Sequence, residues 1–508
     1  VTSYFLGVDI GTSTVKAIIT DVEGKIYAYY SVSSEINIQK PGWVEQDPEI
    51  HWWRNFVKAV KGCLKESNVS PKEIIGIGLS GLSVNLTPID KKGKIIRPSI
   101  LYMDTRAIKE IEWLQEKVGN QVFLDINGNP ISHRMLIPKI LWFKKHENEN
   151  YKRTWKILVS SHSYIVYKLC GRVTADYYVA DMTGLSDYRH NTWSEDISSL
   201  TGIEIDKLPD VFPSHHVVGE ISVAAADETG LAEGTPIIVG SADGNLSALS
   251  AGVVNPGDAM ITYASAGAAY IYTEQPKPHP KLYFGHYVKP NSWVSVIGMS
   301  CTGSLVKWFL KQFVHAEREL KIGIDPYEAF DMRAEKVPPG SAGIIVLPYF
   351  MGERSPIMDP KARGVIFGLN LYHTKEHIYR AILEAFGYGL MHHLDILREI
   401  NVQVNRWIAV NGGARSKIWR QIVSDVTGIP QEYPIKNPGA PLGDAFLAAI
   451  GTNTIKDWNR VKEWVSFGER TEPDKEKHEF YKKLYLIYRR LYEHLKDDMR
   501  DLSDIISK

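Results

Sequence analysis

One pattern occurs twice in the 508 residues and constrains the fold more than any other feature. The chain opens with a short apolar strand, Tyr4 to Val8, passes through a polar turn from Asp9 to Lys16 and returns in a second apolar run, Ala17 to Thr20. The hairpin turn Asp21-Val22-Glu23-Gly24-Lys25 leads to a third strand, Ile26 to Val32. Pro48 to Glu66 is amphipathic at helical spacing, with Trp52, Phe56, Val60 and Leu64 on one face, and Ile74 to Leu79 reads as a buried strand. Roughly two hundred and fifty residues after the first hairpin the order begins again, which points to a structural duplication. Ala259 to Tyr272 reads as strand, small-residue turn and strand. Trp407 to Val410 is a later strand, ending in the turn Asn411-Gly412-Gly413-Ala414 before a helix through Trp419, Ile422 and Val423. The expected architecture is α/β with two lobes, residues 1–248 and 249–508. The second lobe ends in a charged helical tail from Pro473 to Lys508, with Phe480, Leu484, Ile487 and Leu491 as its apolar stripe.

Bulk properties narrow the function. A chain of this length exceeds one ordinary core, in keeping with two domains. Lys+Arg and Asp+Glu balance at 59 each, so no overall field favours nucleic acid or an anionic membrane, and any phosphate binding must be built locally. Cys63, Cys170 and Cys301 are too widely spaced for a metal or disulfide framework and read as reduced thiols. No apolar run reaches membrane-spanning length, and Val1 to Asp9 lacks the basic start and cleavage site of a signal peptide. The cytoplasm is the expected compartment.

Four segments carry chemistry. In Asp9-Ile10-Gly11-Thr12-Ser13-Thr14-Val15-Lys16, Gly11 permits a tight turn, backbone N–H groups and hydroxyls can cradle phosphate oxygens, and Lys16 supplies charge. Asp9 at the strand end can hold Mg²⁺ through water, although a plain hairpin with a capping Asp has the same composition. The segment lacks the Gly-Lys-Ser/Thr ending of a P-loop. In Gly240-Ser241-Ala242-Asp243-Gly244-Asn245, a poorly shielded carboxylate can act as a base toward a hydroxyl or cap the helix that follows. Thr262-Tyr263-Ala264-Ser265-Ala266-Gly267-Ala268 is a second small-residue hairpin, suited to phosphates or to close strand packing. Asn411-Gly412-Gly413-Ala414-Arg415-Ser416 opens a helix with a glycine pair, fit for a nucleotide lying on backbone or for a simple turn.

Longer stretches give these segments a context. Pro138-Lys139-Ile140-Leu141-Trp142-Phe143-Lys144-Lys145-His146 and the run from Gly364-Val365-Ile366-Phe367-Gly368-Leu369 to His377-Ile378-Tyr379-Arg380-Ala381-Ile382-Leu383-Glu384 resemble the two signatures of the FGGY carbohydrate kinases. That family lies within the actin and sugar-kinase superfamily. Pro41-Gly42-Trp43-Val44-Glu45-Gln46-Asp47-Pro48, Asp104-Thr105-Arg106, Gly352-Glu353-Arg354-Ser355-Pro356 and Gly412-Gly413-Ala414-Arg415 follow the same order. The nearest likeness is to xylulokinases.

The resemblance implies two ribonuclease-H-like lobes and transfer of the terminal phosphoryl group of ATP, with Mg²⁺, to a hydroxyl of a small sugar. A ketopentose such as xylulose is the expected acceptor; gluconate, ribulose or erythritol are alternatives, and a non-catalytic sugar or nucleotide sensor is the alternative of another class. It implies Asp243 as catalytic base, and Asp9 with Asp243 at the metal. Thr12, Ser13, Thr14, Lys16, Ser265, Gly303, Gly412, Gly413 and Lys417 would meet the nucleotide, with Lys307 nearby. Asn85, Tyr102, Asp104, Arg106 and Arg134 are the candidates for the sugar. Two departures stand out. Ala264-Ser265-Ala266 replaces the Gly-Thr-Gly of glycerol kinase, and Leu82-Ser83-Val84-Asn85 replaces the Gln-Met-His-Gly usual in xylulokinases. The expected partners are a small-molecule sugar and further copies of the chain in a dimer or tetramer, with neither nucleic acid nor membrane.

Overall fold

The computed structural model describes residues 3–314, 323 and 325–506. Its contacts divide the chain into two units. The first comprises Val1–Val254, Glu274–Ser295 and Lys436–Val465; the second comprises Asn255–Thr273, Val296–Ile435 and Ser466–Lys508. A single break at 248/249 therefore does not describe the chain, because two later segments return to the first unit.

The first unit is built on strands β1 (Tyr4–Ile10), β2 (Thr14–Asp21) and β3 (Ile26–Ser33), helix α1 (Arg54–Ser67) and strand β4 (Ile74–Gly81). β1, β2 and β3 form an antiparallel meander, and β4 lies parallel to β1 on its other side. Beyond β4 the sheet continues through Pro236–Ile238 to Val217–Glu220, and the two-residue strand Ser241–Ala242 also pairs with β4. β1, β2 and β4 are almost wholly buried, which is why they read as apolar runs without alternation. α1 covers one face through Phe56, Ala59, Val60 and Cys63. It starts later than its periodicity suggests: Pro48–Trp53 forms a wider turn, capped by Asp47, which accepts from the N–H groups of Glu49 and Ile50.

The opposite face is covered by the helix Ala440–Gly451, the most remote of the returning segments. A Cβ on Gly7 would overlap the carbonyl of Pro441, and one on Gly78 would overlap that of Asp444. Glycine in the two central strands lets this helix lie directly on the sheet. That contact is the physical reason the unit is not contiguous in sequence.

The second unit repeats the motif. Strands β5 (Asp258–Tyr263) and β6 (Gly267–Thr273) form an antiparallel hairpin, and β7 (Arg406–Val410) lies parallel to β5. The expected duplication is thus present as the same hairpin with the same parallel neighbour. Behind it the helix Lys375–Glu399 is buried through most of its length, with the helices Lys417–Thr427 and Lys475–Ile506 packed around it. The inward face of the last helix is offset from the stripe its aliphatic residues mark, of which Leu484, Ile487 and Leu491 are half-buried. Tyr481, Tyr485, Tyr488 and Tyr492 are buried, and Phe480 is exposed. Tyrosine wins this face because its ring fills the core while its hydroxyl finds a partner. Tyr481 donates to Glu384 at 2.8 Å, Tyr492 to Asp359 at 2.9 Å, and Tyr488 accepts from Tyr349 at 2.9 Å.

Candidate active site

Strand register assembles the site of the first unit. Asp9 on β1 stands opposite Ser80 on β4, and Ser80 stands opposite Ser241 on its other side. β1, β4 and Ser241–Ala242 are parallel, so their carboxyl ends lie level, with the two outer strands about 10 Å apart. Ligands of open α/β sheets bind at such ends. Asp243 follows directly, as the first residue of the helix Asp243–Ser250. Its strand is held from below, where Ser241 donates to the buried Asp176 at 2.6 Å and Ser214 donates to the same oxygen at 3.0 Å.

Across the hairpin Asp9 pairs with Lys16, whose Nζ lies 3.3 Å from Oδ2. Asp9 is buried and its Oδ1 has no hydrogen-bond partner. Burial raises the Asp9 pKa against the opposing charge and hydrogen bond of Lys16. Burial pulls the Lys16 ammonium down, but the attraction of Asp9, with Tyr29 and Asp243 behind it, outweighs that and leaves its pKa raised. Solvent reaches the Asp243 carboxyl. Even so, the surrounding protein mass and then the charge of Asp9 push it up to about 7. Gly11 closes the turn by donating to Thr14 O at 3.0 Å. The backbone of Thr12 and Ser13 is tied down by Gln46 and by the Ser34 N–H. The hydroxyls of Thr12, Ser13 and Thr14 have no hydrogen-bond partner among the described residues. The loop is therefore fixed while its polar side chains stay available.

A third carboxylate belongs to this cluster and is not apparent in the sequence. Asp444, on the returning helix, is fully buried and accepts from Ser80 Oγ at 2.8 Å through Oδ2, while Oδ1 is unpartnered. Burial and then Asp9 hold its pKa well above the usual carboxylate range. Among the described residues no three His, Cys, Asp or Glu side chains converge closely enough to ligate a metal by themselves. Two orphaned carboxylate oxygens beside one lysine nonetheless fit Mg²⁺, which keeps several waters and takes only one or two carboxylates.

The sugar-side candidates divide into two groups. Asp104 and Arg106 form a closed network: Asp104 accepts from Val44 N–H at 2.6 Å and from Arg106 through both oxygens, and Arg106 also pairs with Glu45. Both side chains are fully buried, with the guanidinium 3.9 Å from the Trp43 ring centre. Their hydrogen bonds and ion pairs are spent on each other, on Glu45 and on the backbone at Val44. The amide of Asn85 is likewise spent on backbone, Leu82 O and Tyr102 N–H. Lys139 is buried, its pKa drawn down to about 7 by burial, and it donates to Tyr102 O, His133 O and Met135 O. Arg134 is different. Half-buried over the Tyr102 ring at 5.4 Å, it has no hydrogen-bond partner among the described residues and lies close enough to Asp243 to act on its charge.

The second unit contains a cavity of about 960 Å³ that brings together Ser265, Gly303, Gly412, Gly413, Lys417 and Lys307. The turn at Ser265 is tied to the helix Gly303–Phe313, with Gly303 N–H donating to Ala264 O at 2.8 Å and Ser304 N–H to Ser265 O at 3.1 Å. A Cβ on Gly303 would lie 2.7 Å from Ala264 O, and one on Gly413 would press on Trp419 and Tyr263 at 2.8 and 3.0 Å. A Cβ on Gly412 would meet nothing within 4 Å, so its backbone faces open space. Sequence reading did not find the acidic wall opposite, Glu328, Asp331 and Glu335 on the helix Pro326–Ala334 and just beyond it. Their spacing on one helical face was the available signal. Tyr379 donates to Asp331 at 2.9 Å. No helix among the described residues is long and apolar enough to cross a membrane.

Comparisons with known proteins agree with this geometry. Residues 4–250 match the N-terminal domain, and residues 264–452 the C-terminal domain, of the FGGY family of carbohydrate kinases. Xylulose kinase of Bacillus subtilis (strain 168) is 30% identical over 97% of this chain and 97% of its own length. The gluconokinase of the same organism is 28% identical, covering 99% and 98%. Among solved structures, the xylulose kinase of Rhodospirillum rubrum superimposes with a TM-score of 0.91 at 31% identity, over 98% of this chain and 99% of that one. A strand-end carboxylate cluster in one unit, a glycine-lined cavity in the other and matches to both halves agree, and the chain belongs to the FGGY family of carbohydrate kinases, where it is xylulokinase-like.

Proposed function

We propose that the chain transfers the terminal phosphoryl group of ATP to a hydroxyl of a small sugar, with a ketopentose such as xylulose as acceptor. The observation that carries this reading is Asp243, a solvent-reached carboxylate held up to about 7 at the head of a helix, level with Asp9 and Lys16. A base with a pKa near the working pH accepts a proton efficiently. Asp243 takes the proton of the acceptor hydroxyl as its oxygen bonds to the terminal phosphorus and the bond from that phosphorus to the bridging oxygen of ADP breaks. Lys16 and the hydroxyls of Thr12, Ser13 and Thr14 receive phosphate oxygens. Asp9 would hold Mg²⁺, and the ion would supply charge neutralisation at the phosphates. In the second unit Ser265, Gly303, Gly412, Gly413 and Lys417 hold the nucleotide.

Identities of 30 and 31% to two xylulose kinases, against 28% to a gluconokinase covered as fully, favour the ketopentose. A second reading, an aldonate acceptor, has one observation of its own. Arg134 presents a guanidinium with no hydrogen-bonded anion beside Asp243, and a carboxylate would satisfy it. An ADP-release assay across ketopentoses, gluconate, ribulose and erythritol decides between them. Release that depends on xylulose supports the first reading; release that depends on gluconate and is lost in Arg134→Ala supports the second. Nucleotide binding with no turnover on any acceptor would leave a sensor. We place the protein in the cytoplasm, where its three unpaired thiols stay reduced, as a dimer or tetramer without nucleic-acid or membrane partners.

A further inference from the structure

The helix Ala440–Gly451 is apolar but for one residue. Its sequence is Ala-Pro-Leu-Gly-Asp-Ala-Phe-Leu-Ala-Ala-Ile-Gly, and every side chain from Ala440 to Ile450 is buried. A carboxylate in such a place costs several kcal/mol unless it is paired, because a charge leaves water for a medium that solvates it poorly. Asp444 has one hydrogen bond, from a neutral hydroxyl, and one orphaned oxygen. The carboxylates of Asp9 and Asp243 act on it in the unfavourable sense, and Lys16, the cation within reach, is already bonded to Asp9.

The surroundings show that this placement is held firmly. Asp444 cannot retreat, because its own backbone carbonyl rests on Gly78 and the next residue, Ala445, rests on Gly7. Ser80, which tethers its Oδ2, is the residue standing opposite Asp9 in the strand register. Two buried aspartates therefore flank one serine, each with one oxygen lacking a partner. Three carboxyl groups share one ammonium here, and Arg134 acts on Asp243. A divalent cation is the chemistry that balances them.

We infer that Asp444 is a positioning residue for the divalent cation of the phosphoryl-transfer site, acting on the cation's water shell beside Asp9 while Ser80 fixes its orientation. The inference rests on the kinase reading above, because it takes Asp9 as the residue nearest the ion. Carboxylates that support a metal site from behind its ligands are worth about 10- to 100-fold in affinity.

The test is Mn²⁺ binding to the enzyme with ADP, followed by the paramagnetic resonance of free Mn²⁺. Asp444→Asn and Asp444→Ala should each weaken Mn²⁺ about tenfold while the metal-free variants melt no lower than the parent, since a poorly satisfied buried carboxyl group is gone. Ser80→Ala should weaken Mn²⁺ by a smaller factor. A residue of structural importance alone would move the melting temperature and leave Mn²⁺ affinity where it was. Mn²⁺ affinity within twofold of the parent in whichever Asp444 variant folds overturns the inference and leaves the kinase reading standing. Failure of the parent protein to take up Mn²⁺ with ADP overturns both.

Discussion

The two units solve related problems with opposite materials. Each carries a hairpin whose first strand has a parallel neighbour. In the first unit the hairpin presents Asp9 and Lys16, with Asp243 and Asp444 close by, and its working parts are charges. In the second the matching turn is Ala264-Ser265-Ala266, and the cavity sets the backbone of Gly303, Gly412 and Gly413 among charges of both signs, so shape and N–H groups join charge as its working parts. Charge can be tuned by its neighbours, whereas a backbone cradle can only be filled or left open. The two sites should therefore fail in different ways.

The largest expected effect is at the charged site. Asp243→Asn should lower turnover by about a thousandfold, the scale of a lost general base, with nucleotide affinity by calorimetry within a factor of two or so of the parent. Near-normal turnover would remove Asp243 from the chemistry. Next, because Asp243 is held up to about 7 and must be ionised to accept a proton, kcat/KM should fall about tenfold per pH unit below that value and level off above it. Raising Mg²⁺ should draw this limb to lower pH, since a nearby cation favours the carboxylate. A profile flat from pH 5 to 8 would contradict the assignment.

The backbone site should respond to volume instead. Gly412→Val adds a side chain into open space, so the melting temperature should hold while nucleotide affinity falls about tenfold, or ~1.4 kcal/mol. Unchanged nucleotide binding would show that the cavity does not hold the nucleotide. The last test leaves function aside and concerns a buried charge of the second unit that lies outside its cavity. Glu353 is buried, Oε1 accepts from the N–H groups of Ser300 and Arg354, and burial pushes it up to about 7. A folded-state pKa above the unfolded value means stability present at low pH and lost as pH rises from the ordinary glutamate range through about 7. Glu353→Gln should therefore melt higher than the parent at pH 8, by about 2 kcal/mol of stability, and no higher at pH 4. Equal melting at pH 8 would show that Glu353 is already compensated.

The same contrast explains what could be read in advance. Turns that bring backbone to a ligand need glycine and small hydroxyl residues, so Gly11, Ser265 and the Gly412-Gly413 pair stood out in sequence, as did Asp243 at a strand end. Asp444 did not, because in a run of apolar helix it reads as core. Its neighbour Ser80 is 364 positions away in the chain. The pairing of Asp104 and Arg106 was hidden for the converse reason: two charges near a conspicuous motif look available until the fold shows that they satisfy each other. The tail helix was read as a helix, with its inward face offset from the observed one: Leu484, Ile487 and Leu491 are half-buried, and the deepest positions belong to tyrosines whose partners, Glu384, Tyr349 and Asp359, are visible only in three dimensions.

The helix laid across Gly7 and Gly78 has a consequence for synthesis. The strands of the first unit are translated before the second unit, but the segment that roofs them, Lys436–Val465, emerges only after most of the second unit has been made. During that interval the nascent sheet has one bare apolar face. Gly7, Gly76 and Gly78 mark where the helix will later rest on it. A message cut short before that segment would yield a chain with this surface permanently uncovered, a substrate for chaperones and proteases.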